Sequence, residues 1–233
     1  FDACTGLRPV CAPAIPVSAM PGFLPSCTSR ITEDFASGLS SQQVIAMSSY
    51  GLGGLTGSCW LGIISARGND VVEAPTVDQL GLCHKSNVGQ FNHFVDKETI
   101  KPSRTICPTP ADPEKMTWLK LSMSGHDDAE CISDSDAASF VADAFQGLRA
   151  RQVRLMKPSA LASATTGVIK VLPPDSLWAL NANQVAAFSP KNFSLLGQDV
   201  NGLNPLSVSL LSVDSVEELS TSWTGLWNCN ISK

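Results

Sequence analysis

The sequence predicts a mainly α-helical protein, folded as a right-handed, solenoid-like stack of short capped helices. A degenerate repeat of apolar residues indicates the stack, and Ser, Asn and Pro residues between its copies indicate the helix ends. The third observation is eight cysteines in 233 residues, which predicts disulfides and an oxidising compartment. With 43% apolar and 16% charged residues, the chain can bury a core of one large or two small domains.

The repeat has the form Leu-x4-Val-x2-Φ-x4-Φ-x2-Leu, where Φ is a large apolar residue. Four segments match it, and their valines are Val44, Val153, Val185 and Val208. Residues three apart lie on one face of a helix, so each pair of apolar residues indicates a helix of about two turns. Because such helices are marginal alone, we expect them to stack and to share one continuous core.

Residues typical of helix starts lie between the apolar pairs. They are Ser40, Ser48, Ser189 followed by Pro190, Asn204 followed by Pro205, and Ser212. Ser or Asn caps a helix and Pro suits its first position. Ser133, with Asp136 in the first turn, predicts a longer helix over residues 137–146.

Composition divides the chain into four parts. Residues 1–30 contain five prolines and predict an extended arm, which we expect to pack on its own domain, with docking onto a neighbouring chain as the alternative. Residues 31–59 and 131–233 carry the helical repeats. Residues 60–130 predict an irregular, disulfide-held insertion, with short strands at residues 71–72 and 118–121.

The cysteines predict disulfides throughout, because none forms the Cys-x2-Cys pair that structural zinc sites prefer. They are Cys4, Cys11, Cys27, Cys59, Cys83, Cys107, Cys131 and Cys229, and their pairing stays open. Sequons at Asn192 and Asn230 predict N-linked glycans in the same compartment. A chain that begins at Phe1 suggests a removed signal peptide or a fragment, and no apolar run is long enough for a membrane span.

The charged residues do not indicate a nucleic-acid partner. The net charge is −5, and the basic cluster from Arg149 to Lys157 is interpreted as a solvated helix face. Ser122, Ser124, His126 and Asp127 are interpreted as a polar loop, because a catalytic triad draws its members from distant segments.

Metal and sugar sites are considered and set aside. Disulfides are favoured over a zinc site at Cys83, His84, His93 and Cys107. The acidic run 127–136 could hold calcium, but it lacks the glycine and closing glutamate of an EF-hand, so we interpret it as helix N-terminal charge. Trp223 and Trp227 could stack on a sugar, although core packing is favoured. The sequence therefore predicts no catalytic residue, no cofactor and no metal.

The repeat resembles the mesothelin, stereocilin and otoancorin family, whose chains are superhelices of very short capped helices. The segment from Leu180 to Pro190 carries most of this resemblance, which covers residues 31–59 and 145–227. Family membership would imply an extracellular, non-catalytic role in adhesion or in attachment of extracellular gels.

The predicted function is that of a secreted structural or adhesion protein. We expect it to bind protein partners, including copies of itself through the N-terminal arm, as in a fibre or matrix. The alternative is a monomeric cell-surface ectodomain that binds a protein or glycan ligand.

Overall fold

The computed structural model describes residue 4 and residues 6–97, 99–102 and 115–222, which are mainly helical and contain no β-strand. The α-helices are α1 Pro25–Thr28, α2 Glu33–Ser37, α3 Ser41–Ala46, α4 Ser49–Gly53, α5 Gly57–Arg67, α6 Asn69–Glu73, α7 Val77–Leu80, α8 Lys85–Asp96, α9 Trp118–Ser122, α10 Asp134–Ser139, α11 Ala150–Leu155, α12 Pro158–Ser163, α13 Val168–Val171, α14 Pro174–Ala179, α15 Ala182–Ala187, α16 Pro190–Phe193 and α17 Val213–Ser222. The 3-10 helices are Pro9–Ala14, Val17–Gly22, Asp127–Cys131, Ala142–Gly147, Gly197–Gly202 and Ser207–Leu210.

Side-chain caps begin many of these helices. Ser40 and Ser48 accept hydrogen bonds from the backbone N–H of Gln43 and Gly51, which confirms the predicted starts of α3 and α4. Pro190 occupies the first turn of α16, as its sequence predicts. Most of these helices have four to six residues, and after several of them, such as α3, α11 and α15, the next residue turns to the extended region. Met47, for example, has φ −62° and ψ 144°.

Most of the described helical elements pack on the element three places further along the chain. In the first half α1 contacts α4, α2 contacts α5, α3 contacts α6, α4 contacts α7, α5 contacts α8 and α6 contacts α9. The same spacing returns in the second half, counting the 3-10 helices, where α11 contacts α14, α12 contacts α15 and α13 contacts α16. Three successive elements therefore form one layer. The first layer is Pro9–Ala14, Val17–Gly22 and α1, and the last is Gly197–Gly202, Ser207–Leu210 and α17.

The apolar positions of the repeat form the core in three of its four copies. In the first copy Leu39, Val44, Met47, Leu52 and Leu55 are all buried. The copies that contain Val153 and Val185 bury nearly all of their matching residues too.

The fourth copy of the repeat departs from the prediction at Val216, which is 51% exposed. Leu203 and Leu219 are buried, and Val208 and Leu211 are partly buried and pack against the second core. Ser215, next to Val216, is buried instead.

Two apolar cores meet at α9. The first extends from Ala12 to Met123, and the second extends from Met116 to Leu219. Leu119 of α9 belongs to the first core and Leu121 to the second. A Cβ at Gly147 would lie 1.9 Å from the carbonyl oxygen of Trp118, so only glycine allows this close approach at the junction.

The sequence predicts an extended N-terminal arm. In the structure the arm instead forms two 3-10 helices followed by α1. Proline fixes φ near −65°, a value that polyproline and 3-10 conformations share, so proline density alone does not separate them. The arm packs on α2, α3 and α4, and it buries Ala12 and Met20 in the first core. Packing of the arm on its own domain is therefore confirmed.

The predicted insertion is mainly helical where the structure describes it. The expected strands at residues 71–72 and 118–121 are the helices α6 and α9, since short apolar runs do not distinguish the two structures. The expected helix over residues 137–146 is divided, because Phe140 adopts an extended conformation after α10. Residues 103–114 lie outside the described residues.

Candidate interaction surfaces

Buried glutamines connect successive layers. Gln43, Gln152 and Gln184 stand at the third position of their helices, and each accepts a hydrogen bond from the backbone N–H at the start of its own helix. The side-chain nitrogen of Gln184 donates to the carbonyl oxygens of Val153 at 2.6 Å and Met156 at 2.8 Å, which lie 31 and 28 residues earlier. Gln43 and Gln152 donate across the same two separations.

Smaller polar side chains repeat this contact elsewhere in the stack. Ser176 donates to the carbonyl of Leu148, and Ser207 donates to the carbonyl of Leu180. Sequence reasoning missed this ladder of contacts between layers. A usable signal was present, because a glutamine directly precedes the repeat valine in three of the four copies.

A polar cleft of about 270 Å³ lies where α8 meets α11 and α14. Asn92, His93, Asp96, Arg149 and Asp175 are among the residues that line it. Although the sequence predicts a solvated basic face from residue 149, Arg149 is only 2% exposed, while Arg151 and Arg154 are exposed. Arg149 is buried because it precedes α11 and its side chain points into the junction between the two cores.

The Arg149 guanidinium joins the two halves of the chain. Its Nη1 donates to Asp96 at 2.7 Å and its Nη2 donates to the carbonyl of Ser124 at 2.6 Å, whereas its Nε has no partner. Burial lowers the pKa of Arg149, and the Asp96 carboxylate opposes that shift. Nearby, Asn92 donates to the carbonyl of Gln146 and accepts from the buried hydroxyl of Ser122. This network holds the seam between the cores.

The predicted disulfide cysteines have three different outcomes. Cys4 and Cys27 form a disulfide, and Cys131 is also disulfide-bonded. Cys11, Cys59 and Cys83 are free thiols, unlike the prediction. Cys59 and Cys83 are buried in the first core, where each donates to a backbone carbonyl one layer away. Cys107 and Cys229 lie outside the described residues.

The two predicted glycosylation sites differ in what the structure describes. Asn192 is 6% exposed, its side-chain nitrogen donates to Ser189, and its oxygen accepts from the backbone N–H of Gly167. The nitrogen that would carry a glycan is thus enclosed in the fold. Asn230, like Trp223 and Trp227, lies outside the described residues.

The residues considered for hydrolysis are not assembled into a triad. His126 pairs with its neighbour Asp127 at 3.3 Å, while Ser122 and Ser124 are buried and donate to Asn92 and to the carbonyl of Lys120.

Carboxylates of the acidic run serve local contacts with the backbone and with serines. Asp136 accepts from the backbone N–H of Ser133, Asp128 accepts from that of Gly125, and Asp134 accepts from Ser159. Among the described residues, no group of three or more His, Cys, Asp or Glu could hold a metal ion.

Large apolar side chains are exposed in the first and the last described layers, as well as at Tyr50, Leu82 and Trp178 between them. We call Val10, Val17 and Leu24 the head surface, because each of the three elements of the first layer contributes or borders one of them. The tail surface is formed by Leu206, Leu210, Val213 and Val216 of the last layer. Val10 and Leu206 are each 79% exposed, which is a high value for apolar residues beside a core.

The chain matches no family model, no curated protein and no solved structure. None of the helices in the described part of the chain has the length and apolar character needed to cross a membrane.

Proposed function

We propose that this chain is a non-catalytic extracellular structural or adhesion protein that binds other proteins, including copies of itself, through the ends of its helical stack. The observation that carries this proposal is the exposure of apolar side chains on the head and tail surfaces. Contiguous exposed apolar patches mark interaction sites in folded proteins.

The packing of most elements on the element three places further along the chain supports a solenoid. Its right-handed sense stays a prediction. Solenoids offer long surfaces for protein contacts, and their outermost layers require a covering. The resemblance to the mesothelin family supports the same role and also stays a prediction. The Cys4–Cys27 disulfide is in keeping with an extracellular location.

A cell-attachment measurement tests the adhesive role. Plates are coated with the purified chain, and the fraction of cells retained under shear is compared with the fraction on albumin-coated plates. We expect retention several-fold above albumin, and a heat-denatured coating provides the control for non-specific capture. Retention equal to that on albumin contradicts the proposed function.

The central cleft favours a second candidate, a monomeric cell-surface ectodomain that binds a glycan. Trp178 is 50% exposed and follows the cleft residue Asp175 by one helical turn on α14. Sugars are bound by an aromatic face next to carboxylate groups, and the cleft supplies Asp96 and Asp175. A glycan array compares the chain with Trp178→Ala. Binding that this change abolishes supports the candidate, and no binding by either protein contradicts it.

A further inference from the structure

We propose that the outer side of α11 and α14 binds a sulfated polysaccharide, with arginines on its sulfate groups and Trp178 on a sugar ring. The inference deepens the second candidate function and rests on it for its biological role, because it names the class of glycan. The surface consists of the exposed residues Arg151, Arg154, Lys157 and Trp178, and we call it the basic face.

Positive charge is concentrated in the part of the chain that carries the basic face. Residues 144–198 contain six basic residues and one acidic residue, Asp175, so this segment has a net charge of +5, whereas the whole chain has −5. Arg149 is buried, and the other five basic residues are exposed: Arg151, Arg154, Lys157, Lys170 and Lys191. A positive surface on an acidic protein attracts a polyanion to one place, because the remainder of the molecule repels it.

The cations of the basic face are unpaired within the described part of the chain. Arg149 pairs with Asp96 and Lys85 pairs with Asp199, but Arg151, Arg154 and Lys157 form no ion pair among the described residues. Two carboxylates are close to the face. Asp175 lines the cleft, and Asp134 accepts from Ser159 in the first turn of α12. The three cations are therefore free to pair with anionic groups of a ligand.

The register between layers places Trp178 beside Arg154. The helices α11 and α14 each have six residues and pack on each other. Their third residues, Gln152 and Ser176, both donate to a backbone carbonyl 28 residues earlier, so the two helices are aligned. Their fifth residues, Arg154 and Trp178, take the same outward position one layer apart. Axes of packed helices are about 8 to 10 Å apart, which brings the guanidinium and the indole within reach of one ligand.

These side chains match the chemistry of a sulfated sugar chain. A guanidinium presents a planar fork of N–H donors to the oxygens of an anionic group. Arg151 and Arg154 lie three residues apart on α11 and are neighbours on its surface, so they can hold two such groups. The Trp178 ring, which is 50% exposed, offers a flat apolar face to a sugar ring. Nucleic acids also combine phosphates with stacked rings, but the proposed extracellular role favours the polysaccharide.

The test is the affinity of the full chain for a labelled heparin oligosaccharide, measured by fluorescence anisotropy at several salt concentrations. Labelled dextran provides a neutral sugar chain, and labelled single-stranded DNA provides a polyanion without sulfate. Arg154→Ala and Trp178→Ala each remove one contact of the basic face. The matched controls are Arg8→Ala and Tyr50→Ala, which remove an exposed arginine and an exposed aromatic residue elsewhere in the stack. Circular dichroism verifies that all variants are folded.

We expect heparin to bind, with an affinity that falls as salt screens the charges. Arg154→Ala and Trp178→Ala should each weaken binding about tenfold, the size expected for a charge-assisted hydrogen bond or an aromatic contact. Arg8→Ala and Tyr50→Ala should each stay within about twofold of the unaltered chain, because their side chains lie off the basic face. Dextran should not bind, and DNA should bind more weakly than heparin.

Four results overturn the proposal: no binding of heparin, equal losses in Arg154→Ala and Arg8→Ala, no loss in Trp178→Ala, or binding of DNA or dextran as tight as that of heparin. A chain that binds neutral glycans on the array but no heparin removes the basic face and leaves the second candidate function. Heparin binding by a chain that retains no cells under shear supports the basic face and removes the adhesive role.

Discussion

The side-chain nitrogen of Gln184 lies 2.6 Å from the carbonyl oxygen of Val153, although 31 residues separate them in the chain. The contact connects the start of α15 to the end of α11, one layer earlier. Short helices leave most of their terminal N–H and C=O groups without intrahelical partners. One buried amide here satisfies groups at the ends of two helices, which explains how a stack of such short helices closes its hydrogen bonds.

Replacement of Gln184 by Leu should destabilise the protein by about 3 kcal/mol, because the carbonyl of Met156 and the backbone N–H of Asn181 lose their partner and the carbonyl of Val153 loses one of its two. Urea unfolding followed by circular dichroism measures the change. The matched control is Gln79→Leu, since Gln79 makes the same capping bonds at an exposed site and donates to the single carbonyl of Ile45. Its cost should stay below about 1 kcal/mol. Equal costs for the two changes would show that the buried contact has no special weight.

The ion pair between Arg149 and Asp96 should be worth more than the exposed pair between Lys85 and Asp199. Replacement of Asp96 by Ala leaves a guanidinium that is 2% exposed without this carboxylate partner, and we expect a loss of about 2 to 3 kcal/mol. Asp199→Ala is the control, because the side chain of Asp199 is 50% exposed and its loss should cost less than about 1 kcal/mol. Chemical denaturation of both variants gives the comparison. A loss at Asp96 no larger than that at Asp199 would mean that Arg149 is satisfied without it.

Local signals made the helical class and the caps predictable. The spacing from Val44 to Met47 and the serines at positions 40 and 48 act within one or two turns, and the structure confirms them. The proline-rich arm was not predictable in the same way. The prolines fix their own φ angles, but the ψ angles of the arm depend on packing against α2 and α3, which the sequence does not show.

The candidate sites depend on contacts between distant residues, and these were beyond the sequence. Arg149 and Asp96 are 53 residues apart, so nothing near Arg149 indicated its burial. The prediction for the fourth repeat copy failed at Val216 for a related reason, because Ser207 and Ser215 are the residues buried in this part of the packed layer. Knowledge of the layer period would have placed Gln152 and Gln184 inside, since both precede the repeat valine.

Molecules that adopt this fold should carry no glycan at Asn192. The side-chain nitrogen of Asn192 already donates to Ser189 at 3.0 Å, and the Asn192 side chain is buried, which leaves no room for a sugar. Ser194→Ala removes the sequon while Asn192 keeps its bonds, so the mass of a chain expressed through a secretory pathway should fall only by the one oxygen atom that the substitution removes, and the stability should change by less than about 0.5 kcal/mol. Asn192→Gln should instead cost about 2 kcal/mol. Mass spectrometry of the folded, secreted protein decides, and a mass decrease equal to one glycan in Ser194→Ala would contradict the expectation.

The buried thiol of Cys83 should make the protein less stable at alkaline pH. Burial raises the pKa of Cys83 from its ordinary value of 9.0 to about 12. The unfolded chain therefore loses the thiol proton above pH 9.0, while the folded chain keeps it until about pH 12, so the free energy of unfolding falls as pH rises through this window. At one pH unit above the unfolded pKa the loss is about 1.4 kcal/mol. Cys83→Ala removes this contribution, and the difference between its unfolding free energy and that of the unaltered chain should change by this amount between neutral pH and one unit above the unfolded pKa. Cys11→Ala, at an exposed free thiol, is the matched control and should leave the pH dependence as it is. If the free energy of unfolding depends on pH in the same way in Cys83→Ala and in the unaltered chain, the folded core accommodates the thiolate.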